Sequence, residues 1–388
     1  MSPPPPKRAF LPETDPLPRL PDQYRLWDEL ASELPKLLAA GRARRALERM
    51  PLLDPRALVT QPERERALGL LSLFGHAAVH ESWRLRSASS VPRSIAVPWV
   101  AVAKSLGRFP VLTYASHGLN NWRRFESDGP IALGNLAILR TFFGGLDEEW
   151  FVAVHVEIEA RATPLVEAVI AARNAVGANG PEDLRRSLRV VADALQTMFA
   201  TLLRVRENCD PHIFFNRVQP FMQGIKDVIY EGVTEFENRP QNFPGGSGAQ
   251  SALMPLLDAA LGIQHAADAL IAYLHELRRY MPPEHQAFLS EIERGPSIRE
   301  YVLRLRENSL VEQYNCCVEE LGRFRAEHLK MSVEYIQRPA QQQASTRGEH
   351  GTGGSPFVRY LKKHREETFA HRLHGATTCT RLSTTTSS

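Results

Sequence analysis

From Leu310 to Tyr335 the apolar residues recur at alternating steps of four and three, through Tyr314, Cys317, Leu321, Phe324, His328 and Met331. That spacing predicts one buried face of a long α-helix, with Glu319, Glu320, Arg323, Arg325, Glu327 and Lys330 on the water side. A second stripe runs through Leu184, Leu188, Val191, Leu195, Met198, Leu202 and Val205, and it opens with Pro181, Glu182 and Asp183, as a helix N-terminus prefers. A third, from Leu256 to Leu277, reads as one helix stopped by Pro282 and Pro283. Earlier in the chain, helices are predicted over Tyr24 to Leu38 and over Arg64 to Trp83, with Pro51 and Pro55 breaking the chain between them. Alternation with period two is scarce, so the fold is expected to be all-α.

The pattern divides the chain into a proline-rich extended start over residues 1–21, a small helical domain over 22–115, a larger helical bundle over 116–370 and a disordered tail over 371–388. Residues Gln337 to Pro356 read as one long polar loop with glycines at Gly351, Gly353 and Gly354, either a lid or a linker. A hydrophobic share of 43% in 388 residues supports a sizeable core. With 47 basic against 44 acidic residues the net charge is +3, and no basic face dominates; a nucleic-acid partner is not expected. The densest basic run, Arg42, Arg44, Arg45 and Arg49, reads as a solvated helix face. Cys209, Cys316, Cys317 and Cys379 form no CxxC pair and no disulfide framework, which suits a reducing compartment. Neither a signal-type apolar segment nor an apolar run of membrane-spanning length is present. The expected setting is the cytoplasm, with no membrane partner.

Two histidines lie in apolar surroundings. His328, on the stripe above, has two open readings: a core histidine bonded to a neighbour, or an axial ligand presented by a rigid helix to a metal or haem. His155 stands in the apolar segment WFVAVHVEIEA and reads either as a satisfied core residue or as a group facing a ligand. Phe214 and Phe215 in DPHIFFNRVQPFMQG read as ordinary core, and Ser247 among its glycines as turn chemistry.

Five short motifs occur together in one order. FRAEHLKMSVEYIQRPA, GTGG, GGSGAQS at Gly245 to Ser251, RRYMPPEHQAFL at Arg278 to Leu289 and VPRSIAVP at Val91 to Pro98 resemble the indoleamine 2,3-dioxygenases, and the resemblance runs from about Leu17 to about Thr368. It implies a small N-terminal helical domain and a larger haem-binding bundle, with haem b held by His328 as proximal ligand and dioxygen as co-substrate. The segment holding His155 resembles the family's distal wall. Indoleamine dioxygenases usually carry a serine at that place, whereas the related tryptophan 2,3-dioxygenases use a histidine near the indole nitrogen. By the same resemblance Tyr114, His117, Gly118, Phe151, Phe214, Phe215, Ser247 and Gly248 line the substrate pocket, and Thr352 in the GTGG loop closes over the substrate.

One position departs from the family. Where it places an arginine that pairs with the substrate carboxylate, four residues after Phe215, this chain has Gln219, a neutral amide in place of a charged planar fork. Losing that pair would cost roughly 1.5–3 kcal/mol. Arg217 could replace it only by turning inward.

The function implied is insertion of dioxygen across the indole C2–C3 bond, with L-tryptophan or an indoleamine giving N-formylkynurenine in the first step of the kynurenine pathway. The chain is expected to work as a monomer with an external reductant. A haem enzyme acting on a modified indole in a secondary pathway fits Gln219 better. A non-catalytic haem-binding protein and a helical interaction module without haem complete the alternatives.

Overall fold

The computed structural model describes residues 7–81, 88–343 and 357–374. It is 66% helical with 5% strand, an all-α protein as the periodicity predicts. The stripe helices form its centre. Thr163–Gly177, Pro181–Leu203 and Asn308–Ser332 pack side by side, and their leucines and valines share one apolar cluster with Leu253, Leu256, Leu257 and Phe288. Pro181 takes the first helical position, and Glu182 and Asp183 fill the first turn beside the helix's positive end. The apolar stripe continues past Ser332 into a π turn, Val333–Gln337, which carries Tyr335.

The outer face of Asn308–Ser332 is not a water face as a whole. Glu320, Arg325 and Glu327 are buried, which corrects the amphipathic expectation. The helix Phe357–Ala370 lies along that side, with the Phe369 ring seated on Gly322, where an added Cβ would come within 2.3 Å of it. Arg325 makes two bonds to Asp258, at 2.8 and 2.7 Å, and a third to Thr368. A central helix is covered on more than one side, so its charges are buried in pairs.

Three further expectations change. The stripe Leu256 to Leu277 is split: Leu253–Leu261 ends at Gly262 with φ +65, and a separate helix spans Ala269–Arg278. Glycine takes that left-handed C-terminal position without a Cβ penalty. The stretch read as loop from Gln337 starts with a helical turn, Arg338–Gln342. Of the tail, Leu373 is buried and exchanges two hydrogen bonds with Asn315, at 2.9 and 2.8 Å. The glycine loop Gly351 to Gly354, Thr352 and residues 375–388 lie outside the described residues. Cys209 and Cys317 are free and buried, while Cys316 is disulfide-bonded, a correction to the expectation of no disulfide.

The N-terminal helices Arg25–Ala39, Gln61–His80 and Arg93–Ser105 enclose a second core around Trp27, Leu34, Phe74 and Trp99. Thr60 caps the middle helix with Glu63 in a reciprocal capping box, which starts it three residues before Arg64. This core also takes Phe142, Phe221, Ile225, Val228 and Tyr230 from far along the chain. The strand Ile225–Tyr230 pairs in parallel with Ser90–Val91 and antiparallel with Gln241–Phe243. The extended start is held down: Ala9, Phe10 and Leu11 are buried, and Lys7–Phe10 lies against the helices Leu146–Arg161 and Thr163–Gly177.

Candidate active site

Three single π turns occur among the described residues: Ala115–Leu119, Phe214–Val218 and Val333–Gln337. The first two carry residues that the family resemblance places at the site, and the third continues the helix that carries His328. A π turn spends one extra residue to re-aim side chains, and such bulges are common at functional sites.

The helix Leu146–Arg161 supplies His155. Its start is pinned by Trp150, which donates to the Arg204 carbonyl at 2.7 Å, and by buried Glu148, which accepts from the backbone of Phe142, Phe143 and Gly144 at 2.7, 3.0 and 3.0 Å. Burial pushes the Glu148 carboxyl up to about 7. His155 Nδ1 lies 2.7 Å from the Phe151 carbonyl. A carbonyl can only accept, so Nδ1 carries the proton and Nε2 keeps its lone pair. Burial lowers the pKa of this ring, which is neutral at pH 7.

His328 sits four residues from the end of its helix. Burial first, and the charge of His155 second, bring it to about 4. Both histidines are only partly covered by surface, yet desolvation is the main cause of both shifts. Side chains with that combination line a recess in the protein. Aromatic rings wall it: Phe151 lies 4.4 Å from the His155 ring, Tyr114 meets the same ring edge-on at 6.2 Å, Phe214 is 4.6 Å from Phe151, and Tyr335 is 5.8 Å from Phe214.

Tyr114 is fixed by a buried carboxyl that sequence reasoning missed. Its hydroxyl donates to Glu159 Oε1 at 3.0 Å, and Ser251 donates to the same oxygen at 2.7 Å. Glu159 is fully buried, and desolvation raises its pKa to about 7. The available signal was its position, four residues after His155 on an apolar helix face. Gln250 ties the glycine turn to the same wall by accepting from the Tyr114 backbone at 2.9 Å. Ser247 caps that turn, taking a bond from Ala249 at 3.3 Å, so its hydroxyl performs the turn role; Gly248 is exposed.

His117 is buried on its π turn; burial first, then the charges of His155 and Arg140, hold its pKa at about 4. Gly118 is its neighbour on the same turn. Phe215 and Gln219 are fully buried, Gln219 between Val218 of the bundle core and Phe221 of the N-terminal core. Arg217 is exposed and does not turn inward to replace the family's arginine.

A single neutral imidazole on a long rigid helix, desolvated yet partly accessible, suits the axial ligand of a haem. The other histidine cluster does not. His265, His364 and Glu367 bring ligand atoms within 4.8 Å of one another. However, both ring nitrogens of His265 face carboxylates, Glu367 at 2.6 Å and Asp258 at 3.3 Å, and Arg325 also binds Asp258. These charges are matched without a metal, and they staple the helix Phe357–Ala370 to the bundle.

A model of the indoleamine 2,3-dioxygenase family matches residues 5–371. Human indoleamine 2,3-dioxygenase 2 is 32% identical over 378 residues, 93% of this chain and 92% of its own length. Rat indoleamine 2,3-dioxygenase 1 is 33% identical over 374 residues, 91% and 90% of the two chains. The 6-hydroxytryptophan 2,3-dioxygenase of Fusarium equiseti is 31% identical over 379 residues, 91% and 93%. Among the described residues no helix is long and apolar enough to cross a membrane. The two desolvated histidines, the aromatic rings around His155 and the match along nearly the whole length agree: the chain belongs to the indoleamine 2,3-dioxygenase family of oxidoreductases.

Proposed function

We propose that the chain is a haem-dependent dioxygenase that inserts both atoms of dioxygen across the C2–C3 bond of an indole. The observation that carries this reading is the pair of desolvated histidines, His328 on the long bundle helix and His155 beside the rings of Phe151 and Tyr114, with Phe214 packed on Phe151. His328 would hold haem b by its neutral imidazole, and Phe214 and Tyr335 would pack beside the ring system. Ferrous haem, when bound, supplies the coordination site and the electrons that activate dioxygen.

The chain's own residues bind and orient. His155 Nε2, left with its lone pair by the Nδ1 bond to Phe151, accepts a hydrogen bond from the indole N–H. Phe151 and Phe214 hold a flat ring by edge and stacking contacts, and the Tyr114 ring, tethered to Glu159, keeps one wall in place. Together they exclude water and hold C2 and C3 in a fixed position. L-tryptophan yields N-formylkynurenine and places the reaction at the first step of the kynurenine pathway, in a cytoplasmic monomer kept ferrous by an external reductant. Gln219 favours a second substrate, a modified indole, because a neutral amide holds a carboxylate roughly 1.5–3 kcal/mol less well than a guanidinium. A relative named for 6-hydroxytryptophan supports a modified indole on separate grounds, since that substrate keeps its carboxylate and differs on the benzo ring.

The test is the visible spectrum of the ferrous protein in air before and after an indole is added. Loss of the oxygen-bound haem band with growth of a formylkynurenine-type absorbance is expected. In a His328→Gly protein the haem band is expected to weaken and to return with added imidazole. A variant that binds haem normally without imidazole and turns over would refute the assignment of His328.

A further inference from the structure

His117 is placed as a wall residue, but its ring chemistry is unused. The residue is 7% exposed, and among the described residues its Nε2 finds no hydrogen-bond partner. Its backbone is satisfied: the N–H donates to Thr113 at 2.9 Å, and the carbonyl accepts from Asn121 at 2.9 Å. Phe142, at 6.2 Å, is a ring neighbour that offers no polar atom. Native interiors seldom leave a buried nitrogen unmatched, and each exception calls for an explanation.

Two further observations point to a ligand. His155, which faces the cavity, is among the charges that bear on His117, so the two rings share one neighbourhood. Next to His117 stands Gly118, buried on the same π turn; a Cβ added there would meet only Tyr114, at 4.0 Å. The backbone beside the imidazole therefore leaves room that no side chain among the described residues fills. Burial first, and then the charges of His155 and Arg140, keep this imidazole uncharged at neutral pH. A neutral imidazole offers one N–H and one lone pair. It carries no charge to pair with an ammonium or a carboxylate, and its one donor and one acceptor match a group that both donates and accepts.

We propose that His117 is a specificity residue that binds a hydroxyl on the benzo ring of the substrate, and that the preferred substrates are hydroxyindoles. This rests on the dioxygenase reading above. His155 takes the pyrrole N–H, and His117 takes the hydroxyl. The hydroxyl serves either tautomer of the imidazole, accepting from its N–H or donating to its lone pair. An unsubstituted indole leaves Nε2 unmatched in a dry site, which a polar pocket penalises.

The experiment uses the haem-loaded full chain with L-tryptophan, 5-hydroxy-L-tryptophan and 6-hydroxy-L-tryptophan, measuring dissociation constants by calorimetry and kcat/KM by product absorbance. One hydroxy isomer should bind at least about tenfold more tightly than L-tryptophan. His117→Phe, which keeps a flat ring and removes both polar atoms, should abolish that ratio. His117→Gln, which keeps a donor and an acceptor, should restore part of it. If His117→Phe does not fold, His117→Ala serves the same comparison. Equal dissociation constants in the wild-type protein, or a preference that survives removal of the imidazole, would overturn the role of His117 and leave the dioxygenase standing. Failure to bind any of the three indoles would overturn both.

Discussion

Glu159 shows how a single buried group carries both structure and pH dependence. Its carboxyl receives Tyr114 and Ser251 on one oxygen, and its other oxygen has no partner among the described residues. Desolvation outweighs both bonds and raises the pKa from 4.5 to about 7. The folded state thus holds this proton more firmly than the unfolded chain does. That contribution is fully present below the unfolded value and is lost as pH rises through about 7. Glu159→Gln keeps an acceptor for Tyr114 and Ser251 and cannot ionise. Its stability relative to the wild type should therefore climb between pH 4 and pH 8, by up to about 3 kcal/mol. Urea denaturation at a series of pH values reads this directly, and a difference that stays constant with pH would contradict the account.

At the scale of elements, the His328 helix is rigid because it is packed on opposite sides. The bundle helix Pro181–Leu203 covers one side, with Cys317 Sγ donating to the Leu188 carbonyl at 3.0 Å, and the helix Phe357–Ala370 covers another. The Phe369 ring reaches the backbone only because residue 322 is glycine. Gly322→Ala forces that ring to shift, and overpacking of this kind typically costs about 1–3 kcal/mol. Lower stability in urea and faster proteolysis within 357–374 are the expected results. Unchanged proteolysis would mean that the ion-pair knot of Arg325, Asp258, His265 and Glu367 holds this helix without Phe369.

At the scale of the whole molecule, the two cores are joined by the segment that follows Phe214. Val218 and Met222 belong to the bundle core, whereas Phe221, Ile225, Val228 and Tyr230 belong to the N-terminal core. Tyr230 donates to the Pro110 carbonyl at 2.6 Å and packs against Trp99 with ring centroids 5.5 Å apart. Two apolar cores that share one short stretch of chain should unfold together. Calorimetry should then show one transition, and Tyr230→Phe should lower it by about 1 kcal/mol without dividing it. Two separate transitions would show that the halves melt independently.

The sequence by itself determined what depends on local period and residue type. The stripes at steps of three and four made the central helices and the all-α class legible, because a side chain's face on a helix follows from its spacing. His328 and His155 stood out because an imidazole in an apolar segment is chemically conspicuous, and the family resemblance supplied the roles proposed for them. Tertiary packing decided the rest. The charges Arg325 and Glu327 look solvated in sequence and are buried, because distant segments pair with them, Asp258 and Thr368 with Arg325 and Arg206 with Glu327. Glu159 became a site residue only when Tyr114 and Ser251, from two other segments, converged on its carboxyl. The N-terminal core drew in residues 221 to 230, which no linear boundary at residue 115 reveals. Periodicity states which face of a helix is apolar. Which partner covers that face, and which polar atoms remain unmatched, depends on contacts between residues far apart in the chain, and those exist only in the folded protein.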